Sequence, residues 1–87
     1  MINFGEATKA LAIGHRVARG GWNGKNMFLF LVVGNHWSFE SDVEGVDGIE
    51  TLSFICMKTA DDKLVPWLAS QTDVLSYDWI ILDDNEE

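Results

Sequence analysis

From Met27 to Val33 the chain reads MFLFLVV, seven apolar residues in succession. A strand with one wet face alternates apolar and polar side chains; this one does not, so both of its faces need cover. The run is too short to cross a bilayer, which leaves a buried strand. With 87 residues the chain can fill only one core, and a domain of this size buries only about 60–65% of its unfolded surface. A helix packed on the sheet covers one face of the run. The other face is expected to meet a neighbouring subunit.

The helix is legible at the N-terminus. Asn3 and Glu6 stand in capping-box register, Ile2 precedes the cap as a staple toward Ala7, and Phe4, Ala7, Ala10 or Leu11 and Ile13 recur at helical spacing. Gly14 sits where a left-handed C-terminal cap belongs. The pattern predicts a helix from Phe4 to Ile13 and a first strand around Arg16 to Arg19. Asn23-Gly24 is a turn dipeptide between that strand and the apolar run, which by itself describes a hairpin. A hairpin alone does not explain why Gly20, Gly21 and Trp22 precede it.

After Gly34-Asn35, HWSFE could continue as a strand, and residues 41–50 read as a solvated acidic loop. Thr51 to Lys58 is strand-like, ADDK a turn, and LVPWL a returning strand placed at an edge by Pro66, which cannot donate to a ladder. Ser70 and Asp73 in S-x-x-D register open a short helix, and WIILD closes the chain as a strand. The expected architecture is α+β: a small antiparallel sheet with an N-terminal helix and a short C-terminal helix, one domain over residues 1–87.

Charge narrows the function classes. Of fourteen acids, nine lie in the 40–50 loop (Glu40, Asp42, Glu44, Asp47, Glu50) and the 83–87 tail (Asp83, Asp84, Glu86, Glu87), leaving five acids against six bases in the body. A formal charge of −8 repels DNA and RNA at a distance but leaves room for a small anion where donors converge. The N-terminus has no signal-peptide character, so a soluble cytosolic protein with no membrane role is expected. Cys56 in SFICMK reads as a buried structural thiol, and with only His15 and His36 beside it no metal-ligand spacing exists. No nucleophile and base, or differentiated carboxylate pair, is legible, so neither catalytic residues nor a cofactor is expected.

A nucleotide-sized ligand asks for flat apolar faces, N–H and cationic donors, and groups that address hydroxyls. Two stretches supply these. Trp22 and Trp67 offer faces; Gly20, Gly21 and Gly24 offer backbone donors; Arg16, Arg19 and Lys25 offer charge; Asn23, Asn26, Gln71 and Asp73 can address a ribose. The plain alternative is that Trp67 is a core residue, Asp73 a helix cap, and the arginines an exposed strand face.

FGEATKAL, GHRVARGGWNGKNMFLFLV and MKTADDKLVPWLASQTDVLSYDW resemble the short phage and prophage proteins known as Thoeris anti-defence protein two, with WNGK and PWLASQTD as the specific marks. The resemblance implies a homotetrameric sponge of small α+β protomers. It would bind a cyclic ADP-ribose isomer between protomers without degrading it and so keep the Thoeris effector inactive; some members also hold cyclic oligonucleotides at a separate site. Carried over, it places Trp22, Asn23, Gly24 and Lys25 on one lip of the pocket, and Trp67, Gln71, Thr72 and Asp73 on another; Arg19 and Asn26, read from residue type, complete the expected ligand-binding set. Asp62 departs from the glycine usual in the family's turn, a change expected to affect turn type only. Two rivals remain: an enzyme that degrades the signal, and an acidic interaction protein that mimics nucleic acid.

Overall fold

The computed structural model describes residues 1–22, 26–35 and 42–82. Helix α1 (Phe4–Ala12) begins at the capping box read from the sequence: the Asn3 side chain accepts the Glu6 N–H at 2.8 Å, and the Glu6 carboxylate accepts the Asn3 N–H at 3.4 Å. It ends at Ile13. Gly14 takes φ 99°, and the His15 and Gly14 amides donate to the carbonyls of Ala10 and Leu11, each at 3.0 Å. This paired closure needs a left-handed residue at position 14, which glycine supplies without strain.

Five strands follow: β1 (Val17–Arg19), β2 (Phe28–Val32), β3 (Phe54–Lys58), β4 (Leu64–Pro66) and, after helix α2 (Gln71–Leu75), β5 (Trp79–Ile81). They form one antiparallel sheet in the order β4-β3-β2-β1-β5. Consecutive strands make a meander, and the last connection carries the chain back from one edge to the other. Pro66 lies on the edge strand β4, as its missing donor requires. The expected helix α2 is present with its own capping box, the Ser70 hydroxyl accepting the Asp73 N–H and the Asp73 carboxylate accepting the Ser70 N–H.

Alternation along the strands gives the sheet two unlike faces. Val17, Leu29 and Trp79 lie on the α1 side and are buried with Ala7, Ala10 and Leu11 of that helix. The alanines let the helix backbone approach the sheet closely. On the other side lie Ala18 opposite Ile80, Phe30 opposite Cys56, and Val32 opposite Phe54. Cys56 is buried there, between Phe30 and Pro66 in the register, and burial pushes its thiol pKa up, as suits an inert thiol. Phe28, Phe30 and Val32 are only half-buried. Within the described residues, then, the apolar run is covered on one face by α1 and not fully on the other.

Residues 42–48 form bends and turns, and 42–50 are mostly exposed, as their acidity led us to expect, while 36–41 and 83–87, which include HWSFE and the acidic tail, lie outside the described residues. Asp62 takes φ 66°, the left-handed conformation that glycine adopts most readily. Strand β3 starts at Phe54 rather than Thr51: the ladder with β2 ends at the Val32–Phe54 pair, and residues 51–53 bond to the chain after β2 outside the ladder pattern. There the Gly34 N–H donates to Ser53 Oγ at 2.8 Å and the Asn35 N–H to the Thr51 carbonyl at 3.1 Å. A Cβ at position 34 would lie 2.9 Å from the Ser53 nitrogen and 3.1 Å from the Thr51 oxygen, both backbone atoms. Gly34→Ala is accordingly expected to lower stability by about 1–3 kcal/mol, the usual cost of overpacking, read as a shift in the urea midpoint. Among the described residues no helix is long and apolar enough to cross a membrane.

Candidate functional site

The two stretches singled out in the sequence meet where β1 ends beside the start of β5. Arg19 faces Trp79 across the ladder. Its Nε donates to Asp78 Oδ1 at 2.8 Å and its Nη1 to Asp73 Oδ1 at 2.8 Å, so one guanidinium joins β1, the first turn of α2 and the residue before β5. All three side chains are only partly exposed, at 21%, 16% and 31% for Arg19, Asp73 and Asp78. A planar guanidinium suits such a fork, because its donors are fixed relative to one another.

Asp78 also organises the 3₁₀ turn Gly20–Trp22. Its backbone carbonyl accepts the Gly20 N–H at 2.7 Å and its carboxylate the Gly21 N–H at 3.2 Å. These two amides, expected from the sequence to stand open as ligand donors, are therefore already engaged within the chain. The missed residue is Asp78. No local pattern marks it, since its partners lie 57 to 59 positions away.

Trp22 and Trp67 both pack around Trp79, an aromatic centre the sequence did not single out. Trp79 is fully buried; Trp22 lies edge-on to it with centroids 5.8 Å apart, Trp67 edge-on at 6.0 Å, and Phe4 tilted at 5.4 Å. The Trp79 indole N–H donates to the Asp73 carbonyl at 3.0 Å. Trp22 and Trp67 thus share one neighbour, each packed against the core and half-buried. The plain reading of Trp67 as a core residue describes its packing.

A cavity of about 460 Å³ opens beside this cluster, lined among others by Arg16, Arg19, Trp22, Asn26, Phe28 and Leu82. Its size falls within the range of small-molecule sites. Arg16 lies over the Phe28 ring at 5.0 Å and Lys58 at 5.8 Å, so cationic groups flank an aromatic face. Asn26 is exposed at φ 62°, and its carbonyl accepts from Lys58 Nζ at 2.9 Å. Of the ten residues expected to touch ligand, Arg19, Trp22 and Asn26 line this cavity, whereas Trp67, Gln71, Thr72 and Asp73 do not. Gln71 and Thr72 are exposed on the first turn of α2. Asn23, Gly24 and Lys25 lie outside the described residues.

Residues 2–82 match the family described as the Thoeris anti-defense 2-like domain. The chain belongs to this family. The protein Thoeris anti-defense 2 of Bacillus phage SP01 is 46% identical over 88 residues, covering 93% of this chain and 94% of that protein. In this member of the Thoeris anti-defense 2-like family, the described ends of the two specific marks, Trp22 and Asp73, both adjoin the clasp that Arg19 forms with Asp73 and Asp78. Trp22, the first residue of WNGK, is the last of the Gly20–Trp22 turn, and PWLASQTD ends in Asp73, the carboxylate that Arg19 holds.

Ionisation of the clasp follows from its contacts. The Arg19 guanidinium, with help from the Gly21 N–H, holds the Asp78 carboxyl below the usual carboxylate range. At Asp73 burial opposes ionisation, but hydrogen bonds from the Ser70 N–H and hydroxyl and from Arg19 outweigh it and lower the pKa. Both acids raise that of Arg19. A carboxyl with a depressed folded pKa contributes stability that is fully present above the unfolded value of about 3.9 and is lost as pH falls through the folded value. Stability is therefore expected to decline below about pH 4. The decline should be shallower in Asp78→Asn than in the parent chain, which urea melts at stepped pH would read out.

Proposed function

We propose that this chain is a phage anti-defence protein that binds a cyclic ADP-ribose-type signalling nucleotide and holds it without degrading it, so that the Thoeris effector is not activated. The observation that carries the reading is the family match over residues 2–82 together with the phage relative named Thoeris anti-defense 2. The cavity beside Trp22 supports it with matching chemistry: an indole and a phenyl face for the base, and Arg16 and Arg19 for the diphosphate.

Sequestration requires affinity, since micromolar binding corresponds to about 8 kcal/mol and nanomolar to about 12. A turn held before ligand arrives spends little on ordering, and the clasp is consistent with that need. In this proposal the half-buried Phe28, Phe30 and Val32 face is covered by another copy of the chain, in a homo-oligomer that the family resemblance puts at four. The second lip, at Trp67, Gln71, Thr72 and Asp73, would then reach ligand across a contact between protomers, and Asn23, Gly24 and Lys25 would complete the first lip, with Asn26 beside it. A separate cyclic-oligonucleotide site, as in some family members, belongs to the same proposal.

The deciding experiment incubates the protein with a cyclic ADP-ribose isomer, measures heat of binding, then denatures the protein and chromatographs the supernatant. Intact nucleotide in stoichiometric amount supports sequestration. A cleaved product rejects it in favour of an enzyme. Loss of inhibition on neutralising the exposed acids Asp42, Glu44, Asp47 and Glu50, with Trp22→Ala harmless, would instead favour a nucleic-acid mimic.

A further inference from the structure

We infer that Asp78 is a positioning residue for ligand binding: through its carboxylate and its carbonyl it fixes the Gly20–Trp22 turn and, by way of Arg19, ties that turn to helix α2. The inference rests on the sequestration reading for its functional half and on geometry alone for its structural half.

Asp78 makes four connections. Its carbonyl takes the Gly20 N–H and its Oδ2 the Gly21 N–H, so two consecutive amides of the turn close on one residue. Its Oδ1 takes Arg19 Nε at 2.8 Å, while Arg19 Nη2 lies at the longer distance of 3.5 Å from Oδ2. Arg19 Nη1 is meanwhile held by Asp73, whose other oxygen takes the Ser70 hydroxyl at 2.8 Å and the Ser70 N–H at 3.0 Å. The guanidinium is thus pinned at two nitrogens and lines the cavity in a fixed orientation. Trp22, the last residue of the turn, is seated against Trp79, the residue that follows Asp78. Fixing the turn therefore fixes both the indole plane and the cation that the cavity presents.

A competing account uses the same contacts with the opposite sign. If the Asp78 carboxylate merely occupies donors that a ligand phosphate would otherwise take, removing it frees those donors. It also removes a negative charge beside an anionic ligand, and on both grounds binding should tighten. A positioning role requires binding to weaken although electrostatics alone favours the variant.

The test uses Asp78→Ala and Asp78→Asn in the full chain, with two readouts. Amide hydrogen exchange without ligand should show Gly20, Gly21 and Trp22 exchanging about tenfold faster or more in Asp78→Ala, with the amides of Leu11 and Leu29 unchanged. Titration with a cyclic ADP-ribose isomer should show affinity lowered by about tenfold or more in Asp78→Ala. Asp78→Asn, which keeps one acceptor oxygen, should fall between it and the parent. Unchanged exchange at the turn overturns the inference, as does equal or tighter binding by Asp78→Ala. If the parent chain takes up no cyclic ADP-ribose isomer, it is the sequestration reading that fails, and the exchange data still decide whether Asp78 holds the turn. Should Asp78→Ala not fold, Asp78→Asn carries both comparisons.

Discussion

Trp79→Ala is expected to cost about 3–5 kcal/mol of folding stability, the range for deleting a buried tryptophan or phenylalanine side chain. The indole is fully buried and touches three other aromatic rings, those of Phe4, Trp22 and Trp67. Its removal opens a cavity that α1, the turn and the return from β4 all border, so no single element can relax to fill it. The Asp73 carbonyl also loses the N–H it receives at 3.0 Å. A domain of 87 residues has roughly 4–13 kcal/mol in total at 0.05–0.15 kcal/mol per residue, so this one change removes a large share. Trp79→Phe keeps a ring in place but not the donor, and is expected to lose about 1–3 kcal/mol. Urea melts followed by circular dichroism, at one protein concentration, would measure both. Leu68→Ala serves as the reference, because Leu68 is 91% exposed and its loss should fall within about 0.5 kcal/mol of zero. A Trp79→Ala chain that melted close to that reference would refute the placing of Trp79 at the centre of the core.

Which parts of this arrangement the sequence disclosed depends on the range of the interactions. The capping boxes at Asn3 and Ser70, the glycine closure after α1 and the edge position of Pro66 each arise from residues within a few positions of one another, and each is visible as a local pattern. The clasp arises from pairs 54 and 59 positions apart, set by β5 joining the sheet beside β1 rather than beside β4. Nothing in WIILD distinguishes Trp79 from its neighbours until that register is known. The same distance explains the misreading of Gly20 and Gly21. Beside a tryptophan and a lysine their amides read as free donors, and only the return of Asp78 shows them to be engaged. The ten residues expected to face ligand likewise share chemical types rather than a local pattern that would place them together. The fold brings Arg19 and Asp73 into direct contact, but as partners of each other.

Trp22→Ala should separate the structural from the ligand-facing role of that residue. Loss of one stacking face costs about 1–3 kcal/mol in related base–aromatic contacts, so affinity for a cyclic ADP-ribose isomer should fall roughly 5- to 150-fold. Stability should fall too, because the ring packs edge-on against Trp79, a contact worth about 0.5–1.5 kcal/mol beyond its buried area. Trp22 is only half-buried, so the loss should remain smaller than for Trp79→Ala and leave a folded chain at room temperature. Calorimetry on the folded variant then reads affinity and a urea melt reads stability, from the same preparation. Trp22→Phe supplies the separation. It retains a flat face and most of the edge contact, and is expected to recover stability more fully than binding, since the smaller ring covers less of a base. A Trp22→Ala protein that bound the nucleotide as tightly as the parent chain would mean that the indole belongs to the core alone, and the cavity it lines would have to hold its ligand by Arg16, Arg19 and Phe28 instead.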